Sequence, residues 1–175
     1  MISLTVTLVA MAVSLGAQTA TEYEAKAAFL FNVTKFVGWP DDVGNTSAEL
    51  VIAAPSSSPF RTGLESLVGK RVQGRIIRLE TYAASRIPST CDVLVVDGPT
   101  WNALTHDQRE SLRSRNVLTV AEYPAFVQSG GILSLFLVED HLAFDINIEA
   151  AHEAKLTVSA NLLRLADSRR RKEGR

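Results

Sequence analysis

The chain has 175 residues, of which 46% are hydrophobic and 21% charged, and its formal net charge is −1. This composition is typical of one globular domain with a substantial core and excludes a disordered chain. The balanced charge gives no indication of nucleic-acid binding. Basic residues are concentrated in one place, because residues 169–175 (RRRKEGR) carry five basic side chains and one acidic side chain. We expect this segment to be a basic disordered tail.

The first 20 residues carry no charged side chain and contain an apolar run from Ile2 to Ala17. This run is shorter than the roughly 20 residues of a membrane-spanning helix, and small residues follow it. The pattern predicts a secretory signal peptide over residues 1–20, cut after Ala17 or Ala20, with an uncleaved membrane anchor as the alternative. The basic residue that usually precedes such a run is missing. Either interpretation places the domain, residues 21–168, outside the cytoplasm.

The first predicted helix runs from Glu22 to Val37, and its end is set by Gly38 and Pro40. Apolar or small side chains occupy most of its circumference, so the helix needs cover on several sides. One interpretation is that it packs across a sheet and beneath a neighbouring helix. The other is that its C-terminal part contacts a second subunit or a partner protein. The candidates for that interface are large apolar residues: Phe29, Phe36, Trp39 and Pro40.

The rest of the chain alternates between short apolar runs and amphipathic segments, which predicts an α/β fold. We expect a three-layer sandwich with a mostly parallel central sheet, a terminal antiparallel hairpin and helices on both faces. The predicted strands are Glu49–Ala54, Arg75–Glu80, Asp92–Asp97, Asn116–Ala121, Ile132–Val138 and Leu142–Asn147. The predicted helices are Pro59–Val68, Thr100–Arg115, Tyr123–Gln128, Ile148–Ala154 and Ser159–Arg169.

A ligand crevice is expected beyond the C-terminal ends of the parallel strands. Ser56 and Ser58 follow the first strand, Asp97 ends the third, and Tyr123 follows the fourth. These four residues are the candidates for binding a small ligand such as an anion or an amino acid. For Asp97 a structural alternative is stronger, since an Asp immediately before a helix commonly caps it.

The sequence offers little support for catalysis or for a bound cofactor. It contains no GxSxG, GxGxxG or GxxxxGK[ST] motif. The three histidines, His106, His141 and His152, lack metal-ligand spacing, so we expect no metal site. The single cysteine, Cys91, cannot form an internal disulfide, and we interpret it as a small buried hydrophobe. We therefore predict no catalytic residues and no cofactor.

Five blocks in the correct order resemble the YfiR-like family, and together they cover about Tyr23 to Ala166. The first block is KAAFLFNVTKFVGWP, close to the usual KAAFLYNFAKFVEWP of that family. The others are SPFRTGLESLVGKRVQGRIIRL, CDVLVV, NVLTVAEYPAFVQSGGILSLFLVEDHLAFDIN and AKLTVSANLLRLA. Two residues depart from the pattern, since Gly38 stands in place of a common Glu and Ser134 in place of a frequent Asn.

The resemblance implies a periplasmic, non-catalytic regulator that binds the periplasmic sensor region of a membrane diguanylate cyclase and represses it. The cyclase partner, and not this chain, would make cyclic-di-GMP. The resemblance also implies a homodimer, and similar domains serve as sensory inputs of histidine kinases, which are therefore alternative partners. Redox sensing through disulfides does not carry over to a chain with one Cys.

Two alternatives to the regulator remain open. One is a periplasmic small-ligand-binding sensory module that uses the crevice at the strand ends. The other is an enzyme of unrecognised type, for which Asp97 and His106 would be the residues to mutate.

Overall fold

The computed structural model describes residues 22–40, 48–83 and 86–173, with side chains up to residue 166. The predicted signal peptide lies outside the described residues. The helices are α1 (22–34), α2 (Phe60–Glu65), α3 (Gly98–Ala103), α4 (His106–Ser114), a 3-10 helix (Pro124–Ser129), α5 (Ile148–Glu153) and α6 (Ala160–Glu173). The strands are β1 (Val37–Gly38), β2 (Glu49–Pro55), β3 (Arg71–Val72), β4 (Arg75–Tyr82), β5 (Val93–Val95), β6 (Leu118–Ala121), β7 (Leu133–Val138), β8 (His141–Ile146) and β9 (Thr157–Val158).

The central sheet has seven strands in the order β3-β4-β2-β5-β6-β7-β8. The five inner strands are parallel, whereas β3 and β8 run antiparallel at the two edges. β7 and β8 form the predicted hairpin, turning through Glu139 and Asp140, both of which have positive φ. The predicted α/β architecture is therefore confirmed. The chain reverses direction across the sheet between β2 and β5, which is the switch point where ligand crevices form in such sheets.

The two faces of the sheet carry separate apolar clusters because side chains alternate along each strand. Ile52 and Ala54 of β2 face the larger cluster, which α1, α2, α5 and α6 cover. Ala53 between them faces the smaller cluster, which contains Trp101 of α3, Leu112 of α4 and Phe126 of the 3-10 helix. β5 and β6 are buried at every position and β2 at most positions, which explains their largely apolar sequences, whereas β4 exposes Arg78 and Thr81.

The first helix lies in the larger cluster, as the packing interpretation predicted. Ala27, Leu30 and Val33 are buried, and Phe29 and Phe31 are half-buried against the same cluster. At its N-terminal end α1 approaches α2 so closely that a Cβ on Gly63 would overlap the carbonyl oxygen of Tyr23. The apolar circumference of α1 is therefore mostly explained by burial within the chain.

Several predicted boundaries were wrong. The helix predicted over Thr100–Arg115 is two helices, because Thr105 begins α4 with a capping box in which Thr105 and Gln108 bond each other's backbone amides. The helix predicted over Tyr123–Gln128 is a 3-10 helix, which ends at Gly130 with φ 89°. The first helix ends three residues early, and Val37 instead pairs with Val158 in a small second sheet of β1 and β9. α6 continues to Glu173, past the predicted end at Arg169.

Candidate functional site

The N-terminal half of α1 is fixed to the sheet by a buried lysine. Lys26 is 5% exposed, and its Nζ lies 2.8 Å from Oε1 of Glu122, which follows β6, and 2.5 Å from Oε1 of Glu22. Burial opposes the charged form of Lys26, but the bonds to Glu122 and Glu22 outweigh it, so the pKa of the lysine is raised. The ammonium also lies 5.3 Å from the centre of the Tyr23 ring. Lys26 is therefore charged and fully partnered in the folded protein.

Phe29 and Phe36, two of the four interface candidates, differ in exposure. Phe29 is half-buried, with its ring 4.8 Å from that of Phe144 in β8, so it packs within the chain. Phe36 follows the end of α1 and is 37% exposed, which makes it one of the exposed large hydrophobic residues of the protein. The carbonyl oxygen of Phe36 accepts a hydrogen bond of 2.9 Å from the amide of Ser159. The backbone of Phe36 is thus held in place although its side chain meets solvent.

Trp39 and Pro40, the other two interface candidates, are half-buried and follow β1 directly. The Trp39 ring packs against the larger cluster, but its Nε1 is buried with no hydrogen-bond partner within the described part of the chain. A buried N–H without a partner is uncommon and costs free energy. Phe36, Trp39 and Pro40 are close in sequence, and we call them the helix-end surface.

Two neighbouring segments hold the backbone beneath the helix-end surface. β1 pairs with β9, joining Val37 to Val158 and Gly38 to Thr157. From the turn between β3 and β4, the side chain of Gln73 donates a hydrogen bond of 2.9 Å to the carbonyl of Val37 and a longer one to that of Thr34. The helix-end surface therefore sits on backbone that is fixed from two sides.

The four crevice candidates lie at the C-terminal edge of the parallel strands, as predicted from their positions. Ser56 is exposed, and the Ser58 hydroxyl accepts a hydrogen bond from the amide of Phe60 at 3.2 Å. Asp97 caps α3, because its Oδ1 accepts a bond of 2.7 Å from the amide of Thr100. Since α3 has only six residues, this cap is a structural device and not an anion site.

Asp97 and Tyr123 are brought together at this edge. Gly98, next to Asp97, faces the Tyr123 ring, and a Cβ there would lie 3.8 Å from it. Burial raises the pKa of Tyr123, and the nearby carboxylate of Asp97 raises it further. The same two causes raise the pKa of Tyr82, whose hydroxyl donates a bond of 2.7 Å to the carbonyl of Val95. Both phenols are therefore neutral hydrogen-bonding groups and not bases.

The other titratable candidates are dispersed. His106, His141 and His152 are all exposed, and the described residues contain no group of His, Cys, Asp and Glu that could hold a metal ion. His141 opens β8 and does not lie in the turn. Burial raises the pKa of the Cys91 thiol to about 12, so the sulfur is an unreactive thiol at neutral pH.

Among the described residues, none of the helices combines the length and the hydrophobicity that a membrane span requires.

Sequence reasoning missed three residues that shape this region: Lys26, Glu122 and Gln73. Glu22 and Lys26 are four residues apart, so their ion pair could have been predicted from the sequence of the helix. Glu122 lies 96 residues from Lys26, and no local pattern connects them. Gln73 carries no signal, because an amide side chain in a turn is ordinarily exposed.

Comparison with known proteins assigns this α/β sandwich to a family of regulators. The chain matches the YfiR/HmsC-like family over residues 23–167 and belongs to that family. Membership associates it with periplasmic regulators of diguanylate cyclases. Among curated proteins, none matches the chain.

Proposed function

We propose that this protein is a non-catalytic periplasmic regulator that binds the periplasmic sensor region of a membrane diguanylate cyclase and represses it. In this proposal residues 1–20 direct export and are removed, and the domain that starts at residue 21 acts outside the cytoplasm. Repression lowers the synthesis of cyclic-di-GMP by the partner on the other side of the membrane. Family membership carries this proposal.

The observation that favours a contact surface is the helix-end surface. Most of α1 is buried, so its aromatic content needs no partner, but Phe36 remains 37% exposed beside the half-buried Trp39 and Pro40. Aromatic residues that are partly exposed on fixed backbone are typical interface anchors, because little conformational entropy is lost when they bind.

A mechanism follows if two occupants compete for this surface. One is a second copy of the chain, giving a homodimer, and the other is the sensor region of the cyclase. Whichever contact is favoured under given conditions would set the fraction of cyclase that is repressed. A histidine-kinase sensor region would bind through the same surface and is the alternative partner.

The test of this proposal is recovery of the partner from bacterial membranes. The purified protein serves as bait, and mass spectrometry identifies what it retains. Recovery of a diguanylate cyclase with a periplasmic sensor region, lost with a Phe36→Ala/Trp39→Ala bait, is expected. The matched control bait is Leu137→Ala, which removes an exposed apolar side chain at the β7–β8 hairpin. Equal recovery by all three baits would contradict the assigned surface, and recovery of no signalling protein would contradict the regulator.

A small-ligand sensory module is the second candidate, and the proximity of Asp97 and Tyr123 at the C-terminal edge of the parallel strands favours it. A metabolite bound there at 100 times its dissociation constant would add about 2.7 kcal/mol to the free energy of unfolding. A thermal-shift screen of amino acids and small anions, repeated with Tyr123→Phe, tests it. A ligand whose stabilisation is the same in both proteins does not use the Tyr123 hydroxyl.

A further inference from the structure

A cavity of about 460 Å³ lies on the opposite face of the sheet from α1. One wall is the segment of residues 86–89, and the other is formed by Gln108, Ser111 and Leu112 of α4 and by Arg115, which follows the end of that helix. These four positions are spaced by three, one and three residues, so they lie along one side of α4 and its C-terminal cap. The cavity is widely open to solvent, and its volume is large enough for a small organic molecule.

The topology explains why this space is open. Parallel strands are usually joined by a helix that covers the sheet, but the described residues between β4 and β5 form no helix. α4 therefore borders an irregular segment along this side, not another helix. Leu112 and Ile87, both part of the smaller cluster, provide an apolar floor.

Two guanidinium groups line the cavity, and none of its described lining residues is acidic. Arg115 is positioned by its own bonds, since Nε donates to the carbonyl of Ser111 at 3.1 Å and Nη1 donates to those of Pro88 and Ser89. These bonds leave its Nη2 group without a partner among the described residues. Arg86 is exposed, and its side chain pairs with no described acidic residue.

We propose that this cavity binds a small organic carboxylate with an apolar body. The carboxylate would pair with Arg86 and with the available Nη2 of Arg115, because guanidinium groups bind carboxylates through charge-assisted hydrogen bonds. The apolar body would lie on Ile87, Pro88 and Leu112. No residue of this site belongs to the helix-end surface or to the strand-end crevice, so the site is independent of the proposed partner contact.

Hexanoate is the probe, and amide chemical shifts of the purified protein in NMR titrations are the readout. We expect saturable shifts at Ser89, Ser111 and Arg115, with binding at least about tenfold weaker for the neutral hexanamide. Arg86→Gln should weaken hexanoate binding by a similar factor. Arg164→Gln is the matched control, because it removes one exposed arginine from α6 on the other face of the sheet. It should leave the hexanoate affinity unchanged.

Three results would overturn the proposal. One is the absence of saturable shifts at the cavity in a protein whose spectrum is folded. Another is that Arg86→Gln and Arg164→Gln weaken hexanoate binding equally, which would indicate a general effect of protein charge. The third is that inorganic phosphate binds as tightly as hexanoate. The site would then be a general anion site to whose affinity the apolar residues contribute nothing.

Discussion

The two ends of the first helix differ in how completely their side chains are buried and hydrogen-bonded within the chain. At the N-terminal end, Lys26 is buried with two acidic partners, and Tyr23 packs against α2. At the C-terminal end, Phe36 is exposed and the buried Nε1 of Trp39 has no partner among the described residues. Lys26 at one end and Phe36 and Trp39 at the other belong to the same segment, KAAFLFNVTKFVGWP. Under the proposed function, Lys26 and Tyr23 hold the fold together, and Phe36 and Trp39 contact the partner.

The largest expected difference in stability is between substitutions of a buried and of an exposed side chain in this segment. Leu30 is fully buried, so Leu30→Ala should lower the free energy of unfolding by about 2–5 kcal/mol. Phe36→Ala should lower it by about 1 kcal/mol or less, because its side chain already meets solvent. Urea unfolding followed by circular dichroism measures both. A cost for Phe36→Ala equal to that of Leu30→Ala would remove the distinction between the two ends.

The buried ion pair should have an intermediate effect. Lys26→Met leaves the Glu122 carboxylate, whose side chain is 27% exposed, without its cation, and should lower the free energy of unfolding by about 2 kcal/mol. Lys35→Met is the matched control, since Lys35 is exposed and its side chain contacts only Asn32 and the Phe31 ring among the described residues. It should change stability by about 0.5 kcal/mol or less.

The pH dependence of the same variant gives a second readout. Because the pKa of Lys26 is raised in the folded state, its stabilising contribution is complete below the ordinary value of 10.5 and is lost as pH rises through the higher folded value. The stability difference between wild type and Lys26→Met should therefore shrink above pH 10.5 and stay constant around neutral pH. A difference that grows with alkaline pH would contradict the charged state assigned to Lys26.

The smallest expected effect concerns Gly38, where the chain departs from the Glu common in its family. A Cβ at Gly38 would overlap the Thr157 hydroxyl, and this side chain can rotate away, so Gly38→Ala should cost only about 0.5–1 kcal/mol. The cost should vanish in a Thr157→Ala background, where the obstructing oxygen is absent. A double-mutant cycle by urea unfolding measures this coupling, and additive effects would show that β9 does not restrict position 38.

The sheet was predictable because β2, β5 and β6 are short, largely apolar runs bounded by turn residues. β1, β3 and β9 were not predicted, because two residues are too few to show an alternating hydrophobic pattern. The break between α3 and α4 was present in the sequence as Thr105 and Gln108, which form the capping box, but the amphipathic pattern on both sides concealed it.

The candidate residues were predicted less evenly. Strand ends meet at one edge of a parallel sheet, so the edge position of Ser56, Ser58, Asp97 and Tyr123 followed from the order of the elements. The exposure of Phe36 and the partial burial of Phe29 did not, because both are apolar residues seven positions apart on one side of the predicted helix. Which of them is covered depends on Phe144, 115 residues further along the chain.

The most direct test of the central claim is the affinity of the helix-end surface for the recovered cyclase sensor region. Isothermal titration with wild type, Phe36→Ala, Trp39→Ala and Leu137→Ala gives the four dissociation constants, and circular dichroism confirms that each variant is folded. If Phe36 and Trp39 are anchors, each substitution should weaken binding by about 2 kcal/mol, roughly 30-fold, and Leu137→Ala should not. Unchanged affinity in folded Phe36→Ala and Trp39→Ala proteins would contradict the claim that this surface binds the partner.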